Sequence, residues 1–344
     1  MNGSLVWFEA LTPKQALLFS IVAREYGGPA YITTRHYDVV EGIPARYGVE
    51  SVAVGEYGGS TLEEKLSSSI RRMEGLLRLA LERRPEVHVT FVSPDSTRVA
   101  FGLGIPVITM SDTPHSASVS RLSIPLARVH LAPEFLLESF SAYRGLVELV
   151  GFRGVFEMAW ISRFKPSLEP LRGLGLEPFE YVFLRPPESK AYYYGGRGSG
   201  PEEAVYRIAV EALRRGYRVL LYPRYPEQRA RYRALGGVVF LEKATDTLSL
   251  EYYSKLVVTG GATMATEAAL MGTPSLYLFP RSVEVPSYVA SLGFPVYHAS
   301  PGEAVGLAVK LMESTFDREV LLGKARRELG DPVPAILDVV KRFK

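Results

Sequence analysis

A repeated alternation of short apolar runs with amphipathic stretches constrains this chain more than any other feature. "SLVWFEA" reads as a buried strand, "PKQALLFSIVAREYG" as a helix with proline in its first turn and glycine at its end, and "PAYITTR" as a second strand. "VESVAVG" follows as a third strand. The stretch "GGSTLEEKLSSSIRRMEGLLRLALERRP" then reads as a long helix, in which Leu62, Leu66, Ile70, Met73, Leu77 and Leu81 recur at helical spacing. The pattern continues through "EVHVTFVS", a helix from about Asp95 to Leu103, "IPVITMS" and a short strand near "ARVHLAP". Strands joined by crossover helices predict a parallel sheet with helices on both faces, because parallel neighbours need long, right-handed connections.

The alternation fails in "GFRGVFEMAWISRFKPSLEPLRGLGLEP", which is rich in glycine and proline, and resumes beyond it. "FEYVFLRP", "YRVLLYP", "GVVFLE", "KLVVTG", "PSLYLF" and "FPVYH" read as strands, and one helix is expected from about Pro301 to Leu329. A length of 344 residues suits two cores rather than one. The expected organisation is a Rossmann-like domain over residues 1–155, a hinge over 156–178 and a second Rossmann-like domain over 179–330. A final helix within 331–344 is expected to pack back on the first domain. The expected fold class is α/β, with two doubly wound parallel-sheet domains facing a cleft.

Composition removes several function classes. The chain has no cysteine, so disulfides, thiolate zinc sites and cysteine nucleophiles are excluded, and its five histidines lack ligand-like spacing. No metal centre and no resident cofactor are expected. No uninterrupted apolar run of membrane-spanning length occurs and "MNGSLVWFEALTPK" has no basic leader, so the expected location is cytoplasmic. A single asparagine and two glutamines beside abundant arginine and proline fit a thermophilic source. The net charge of +3 is too mild to announce nucleic acid, and arginine-rich stretches such as "SIRRMEGLLRLALERRP" read as solvated helix faces.

In open α/β sheets ligands bind beyond the carboxyl ends of the strands. The first strand leads into "EALTPKQ" rather than a glycine-rich dinucleotide loop, and the chain has neither a phosphate-binding lysine loop nor a D-x-D pair. The informative stretch is "LVVTGGATMATEAALMGTPSLYLF". Gly260 and Gly261 would let the backbone approach a ligand, Thr263 could cap the following helix, and the amide end of that helix favours a phosphate. Glu267 falls on the same predicted face as Thr263, Thr266 and Leu270, where its two acceptor oxygens suit adjacent ribose hydroxyls. The bland alternative is a tight turn and a carboxylate that complements the helix dipole.

Other candidates follow from position. Arg185, Lys190, Gly195, Gly196, Arg197 and Arg224 could meet a diphosphate, against readings as a surface loop and as an Arg224–Glu227 ion pair. In the first half, "SPDS" and "SDTPHS" would bring Asp95, Asp112 and His115 to strand ends, where His115 could take a proton from an acceptor hydroxyl. Tyr57, Gly58 and Gly59 take no role.

The segment "GGATMATEAALMGTP" resembles the G-G-x-T-M-x-x-E-A-A-x-x-G-x-P segment of a largely archaeal family, the domain of unknown function numbered 354. It is more distantly similar to the donor-site helix of glycosyltransferase B-fold enzymes such as the MurG transferase, and of non-hydrolysing UDP-N-acetylglucosamine 2-epimerases. "LLYPRYPEQR" resembles a turn of the transferases that add keto-deoxy-octulosonate to lipid A, with Tyr225 in place of a histidine. "SPDSTRVAFGLGIP", "TPHS" and "RFKP" extend the likeness to the family over nearly the full length. The resemblance implies the glycosyltransferase B fold and a nucleotide-sugar substrate, with UDP the expected nucleotide and Glu267 on the ribose. A base taken from the first loop, as in MurG-like enzymes, would here be Glu9.

The expectation is a metal-independent glycosyltransferase-like enzyme, with the donor on the second domain, a glycan or lipid-linked acceptor on the first, and hinge closure expelling water. Peripheral membrane contact and a homodimer fit this reading; nucleic acid does not. One alternative is epimerisation of the nucleotide-sugar at C2. An alternative of another class is a non-catalytic binder of nucleic acid or anionic lipid.

Overall fold

A computed structural model describes residues 3–36, 40, 42–56, 58–59, 61–188, 199–242 and 246–343. The chain divides into two units, Met1–Trp160 with Leu329–Lys344, and Ile161–Glu328. The C-terminal helix Pro332–Lys341 therefore belongs to the first unit. It starts at Asp331, whose carboxylate accepts from the Val333 amide.

Among the described residues the first unit carries seven strands: β1 (Val6–Glu9), β2 (Ala30–His36), β3 (Glu50–Glu56), β4 (Val87–Thr90), β5 (Val107–Met110), β6 (Val129–Pro133) and β7 (Glu148–Phe152). They are parallel and lie in the order β3-β2-β1-β4-β5-β6-β7. β1, β4 and β5 are buried along their whole length, their polar members Glu9, His88, Thr90 and Thr109 included, as expected of parallel strands covered on both faces.

Among the described residues the second unit has six parallel strands: β8 (Tyr181–Arg185), β9 (Arg218–Leu221), β10 (Val238–Phe240), β11 (Leu256–Thr259), β12 (Ser275–Tyr277) and β13 (Val296–His298), in the order β10-β9-β8-β11-β12-β13. Val182, Leu184, Val258 and Leu276 pack against helix Ser199–Arg214 on one face. Tyr181, Phe183 and Val257 face Met264 and Ala268 on the other. The parallel α/β expectation is met in both units.

Details depart from it. The single helix expected from Pro301 to Leu329 is two helices, Ala304–Glu313 and Arg318–Glu328. The break has a local cause: the Ser314 hydroxyl bonds back to the Lys310 carbonyl, and the Asp317 carboxylate accepts from the Val320 amide, opening a new helix. The stretch read as a hinge contains helices Met158–Ile161 and Glu169–Leu174, with Trp160 and Ile161 buried.

The long helix Leu62–Arg83 opens on a capping box between Thr61 and Glu64. Its buried face is Arg72, Leu76 and Ala80 rather than the leucine stripe, and Arg72 is only 3% exposed. The reading of that arginine-rich stretch as a solvated face is thus corrected at Arg72. The cause lies far away in sequence, in a buried carboxylate on β1.

Candidate functional site

A doubly wound sheet has one place where successive crossovers change direction, and the loops there diverge to leave a crevice. In the first unit this switch point lies between β1 and β4, whose last residues, Glu9 and Thr90, are register partners. Glu9 is fully buried, and its carboxylate is surrounded by donors. Arg72 gives an N–H at 2.6 Å, the Ser93 hydroxyl donates at 3.2 Å, and the Thr33 hydroxyl donates to the other oxygen. Two further Arg72 donors go to the Val54 and Thr34 carbonyls, at 2.8 and 3.3 Å.

Asp95, in the first turn of helix Pro94–Gly102, accepts from the Ser69 hydroxyl and lies 3.7 Å from the Arg72 guanidinium. Burial pushes its carboxyl above the usual range, against the hydrogen bond from Ser69 and the charge of Arg72. Val92, in the loop just before it, has φ 41°. A β-branched residue in the left-handed region is strained, and such strain gathers at functional loops.

A second charged cluster forms around the helix that follows β1. Lys14, in the first turn of helix Pro13–Tyr26, donates to Asp112 beyond the end of β5 and to Glu157 at 2.7 Å. Burial alone would lower its pKa, but the two carboxylates outweigh burial and raise it. Burial raises the Glu157 carboxyl, the Lys14 ammonium opposes this, and the charge of Asp112 adds to it. The second Glu157 oxygen, Oε2, has no hydrogen-bond partner.

The first unit thus brings Asp95 and Glu9 into one network through Arg72, and places Asp112 in another with Lys14. His115 is exposed, on the turn before helix Ala117–Ser123. Arg72 and Glu157 were missed by sequence reasoning. Arg72 looked like any surface arginine, and Glu157 lies in a stretch with no periodic pattern.

In the second unit the switch point lies between β8 and β11, and Arg185 at the end of β8 is the register partner of Thr259. The Arg185 guanidinium stacks over the Tyr222 ring, 4.2 Å from its centroid. Arg224 donates to the Pro186 carbonyl at 3.3 Å and lies 3.7 Å from Glu188, so its ion-pair neighbour is Glu188 rather than the Glu227 of the alternative reading. Gln228 fixes this turn, accepting from the Arg224 amide at 2.8 Å and donating to the Pro187 carbonyl at 3.0 Å. Lys190, Gly195, Gly196 and Arg197, like Tyr57, lie outside the described residues.

The two glycines after β11 differ. A Cβ on Gly260 would stand 2.2 Å from the Pro187 Cα, so that glycine is required by its own chain; a Cβ on Gly261 would meet nothing within 4 Å. Gly261 is the N-cap of helix Ala262–Leu270, which has no side-chain cap. Thr263 therefore does not cap the helix: it is the second helical residue, two positions past the cap. The Thr259 hydroxyl instead accepts from the Gly261 amide at 3.2 Å.

The expected face resolves into two parts. Thr266 and Leu270 are buried, Thr266 bonding back to the Ala262 carbonyl, while Thr263 and Glu267 remain half-buried one turn apart. Beneath them lies Glu251, on helix Thr247–Tyr252, with 1% exposure and an unpartnered Oε2. Burial first, and then the Glu267 carboxylate, push the Glu251 carboxyl well above its ordinary value, against the charge of Arg185.

Among the described residues no three histidine or acidic side chains gather in a metal-ligand cluster. Also among them, no helix is long and apolar enough to cross a membrane.

Solved structures with this architecture include the UDP-N-acetylglucosamine 2-epimerase of Methanocaldococcus jannaschii, in complex with UDP-N-acetylglucosamine and UDP. That likeness has a TM-score of 0.71 at 13% identity, over 98% of this chain and 99% of that one. The spinosyn forosaminyltransferase SpnP is similar with a TM-score of 0.65 at 16% identity, over 99% and 100% of the two chains. At such identities the likeness establishes the fold, the two-sheet architecture of glycosyltransferase B-type enzymes. In sequence, the uncharacterized protein MJ0665 of Methanocaldococcus jannaschii is 29% identical over 245 residues, 69% of this chain and 70% of that protein. Residues 16–344 match the family described as protein of unknown function (DUF354), and the chain belongs to it.

Proposed function

We propose that this protein is a nucleotide-sugar enzyme that transfers the sugar of a nucleoside-diphosphate donor to an acceptor hydroxyl, with the donor nucleotide held at the second unit's switch point. The observation that carries the reading is the helix after Gly261: its first amides are uncapped, and Thr263 and Glu267 are its accessible polar side chains in an otherwise buried element. Free amides and the helix dipole suit a diphosphate, and a carboxylate one turn in suits a ribose diol. Arg185 and Arg224, on the adjoining turns, would offset leaving-group charge without a metal.

On the first unit, Asp95 is the group best suited to accept the acceptor's proton. Burial raises its carboxyl towards working pH, where a base gains driving force, and its side chain keeps 18% exposure. Glu9, fully enclosed by Arg72, Thr33 and Ser93, would then position Arg72 rather than touch substrate.

Replacing Glu267 by alanine is expected to weaken UDP binding by about 1–3 kcal/mol through lost charge-assisted hydrogen bonds. Titration calorimetry checks this, and an unchanged affinity defeats the ribose assignment. A second reading is favoured by the likeness to 2-epimerases: inversion at C2 of UDP-N-acetylglucosamine with no acceptor. Incubation with that nucleotide-sugar alone separates the two, since appearance of the manno epimer supports the second.

A further inference from the structure

Glu251 is enclosed in the second unit, and its Oε2 has no hydrogen-bond partner among the described residues. The neighbouring hydroxyls are committed elsewhere. That of Tyr181 donates to the Leu250 carbonyl, that of Ser254 to the main-chain carbonyl of Glu251 at 2.8 Å, and that of Ser249 to Asp246. An ionised carboxylate in such a place has little to replace the water it has lost, so the group keeps its proton instead.

The surroundings of Glu251 point the same way on each side. Its helix, Thr247–Tyr252, packs on helix Ala262–Leu270, which carries Glu267. The core it shares through Leu250 takes Tyr181 and Phe183 from β8 and Val257 from β11. Helix Glu169–Leu174 brings Leu171 and Leu174 to that core, while its Glu169 and Arg172 are exposed. Asp246, the cap of Glu251's own helix, adds negative charge, and Arg185 at the end of β8 is the opposing cation. The Glu267 carboxylate acts on Glu251 more strongly than Arg185 does. Two neighbouring acids lose their first proton from the better-hydrated member, here the half-buried Glu267, and hold the second on the enclosed one.

A ribose diol needs an ionised acceptor, and a diphosphate needs the amide end of the helix together with a cation. Both needs are met while Glu251 is uncharged. Ionised, it would compete with the diphosphate for Arg185 and set a second negative charge beneath the helix. We propose, on the reading that the second unit's switch point holds the nucleotide, that Glu251 is a positioning residue there: carried as the neutral acid, it keeps Glu267 the single carboxylate offered to the ribose and leaves Arg185 to the diphosphate. Binding and protonation are then reciprocal. UDP holds the proton on Glu251, and affinity falls as pH rises through the ionisation of that group, by up to about tenfold per pH unit.

The test is titration calorimetry with UDP between about pH 7 and pH 8.5, above the second phosphate ionisation at about 6, in two buffers of different ionisation enthalpy. The wild type is expected to lose about threefold or more in affinity across that range and to take up protons on binding. Glu251→Gln, which cannot ionise, is expected to hold its affinity within about twofold and to take up none. Glu251→Met, equally uncharged and adaptable in a buried gap, is expected to abolish the proton uptake in the same way. A merely structural Glu251 would leave the proton count untouched. A wild type that binds UDP with the same pH slope and proton count as both variants overturns the role of Glu251 and leaves the nucleotide site standing. A wild type that binds no UDP at any pH in the range overturns the nucleotide site, and the role of Glu251 with it.

Discussion

The two switch points solve opposite problems with the same topology. In the first unit the strand ends are filled from within: Glu9 meets Arg72, and Asp112 and Glu157 meet Lys14. In the second unit the corresponding place is kept open, with an uncapped helix end behind Gly261 and a buried carboxyl, Glu251, whose Oε2 has no partner. The difference teaches that one fold can present fixed side-chain charge on one sheet and backbone dipoles on the other. Side-chain charge suits proton transfer, which needs a group of tuned pKa, whereas backbone amides suit a ligand that brings its own negative charge.

The sharpest way to break this contrast is to remove the cation from the first unit. Lys14→Ala strands Asp112 and Glu157 together in a buried place, and removal of one partner of a buried pair costs about 3–5 kcal/mol. The melting temperature is expected to fall by roughly 10 °C. Adding Asp112→Asn and Glu157→Gln should recover most of that loss. A Lys14→Ala variant that melts like the wild type would mean that these carboxylates are not held by the ammonium.

The next test concerns the two adjacent glycines of the second unit, which look alike in sequence and differ in surroundings. Gly260→Ala forces a Cβ to within 2.2 Å of the Pro187 backbone, which cannot swing away as a side chain can. Overpacking of this kind costs about 1–3 kcal/mol or more, so this variant is expected to melt lower. Gly261→Ala adds a methyl group to open space at the helix N-cap, with backbone φ −121° that any residue adopts. It is expected to keep its melting temperature within about 2 °C and to weaken UDP binding by crowding the amides. Equal effects of the two substitutions on stability would dissolve the distinction.

Much of the frame was legible in the sequence because buried parallel strands and capped helices leave local signals. The apolar runs of β1, β4 and β8, the Thr61 capping box and the glycines after β11 all act within a few residues. The charge pairing was not legible. Arg72 and Glu9 are 63 residues apart and Lys14 and Glu157 are 143 apart, so nothing near either partner marks it as paired. The same limit applies to Thr263, which lies inside the right helix but past its cap, and to Thr266 and Leu270, whose helical spacing from Glu267 did not reveal how much of that face the second unit's core covers. Spacing tells which residues share a face; burial of that face depends on elements far along the chain.

The smallest effect separates the buried carboxyls of the two units by pH. Glu251 has its folded pKa raised well above the ordinary 4.5, by burial first and by the neighbouring Glu267 carboxylate second, with Asp246 adding and Arg185 opposing. The folded state therefore holds this proton more tightly than the unfolded chain. The resulting stabilisation is fully present below the unfolded value and is lost as pH rises through the folded one. Glu251→Gln keeps the size of the side chain, removes the titration, and should melt higher than the wild type at pH 8. At pH 5 the two should differ less, so the gap must grow with pH. Glu157, raised in the same direction but opposed by the Lys14 ammonium, should show a smaller gain, or a loss, on Glu157→Gln because that ion pair goes with it. Identical pH profiles for Glu251→Gln and the wild type would place the Glu251 carboxyl in water, and with it the claim that the second unit keeps an uncompensated acid beneath its helix.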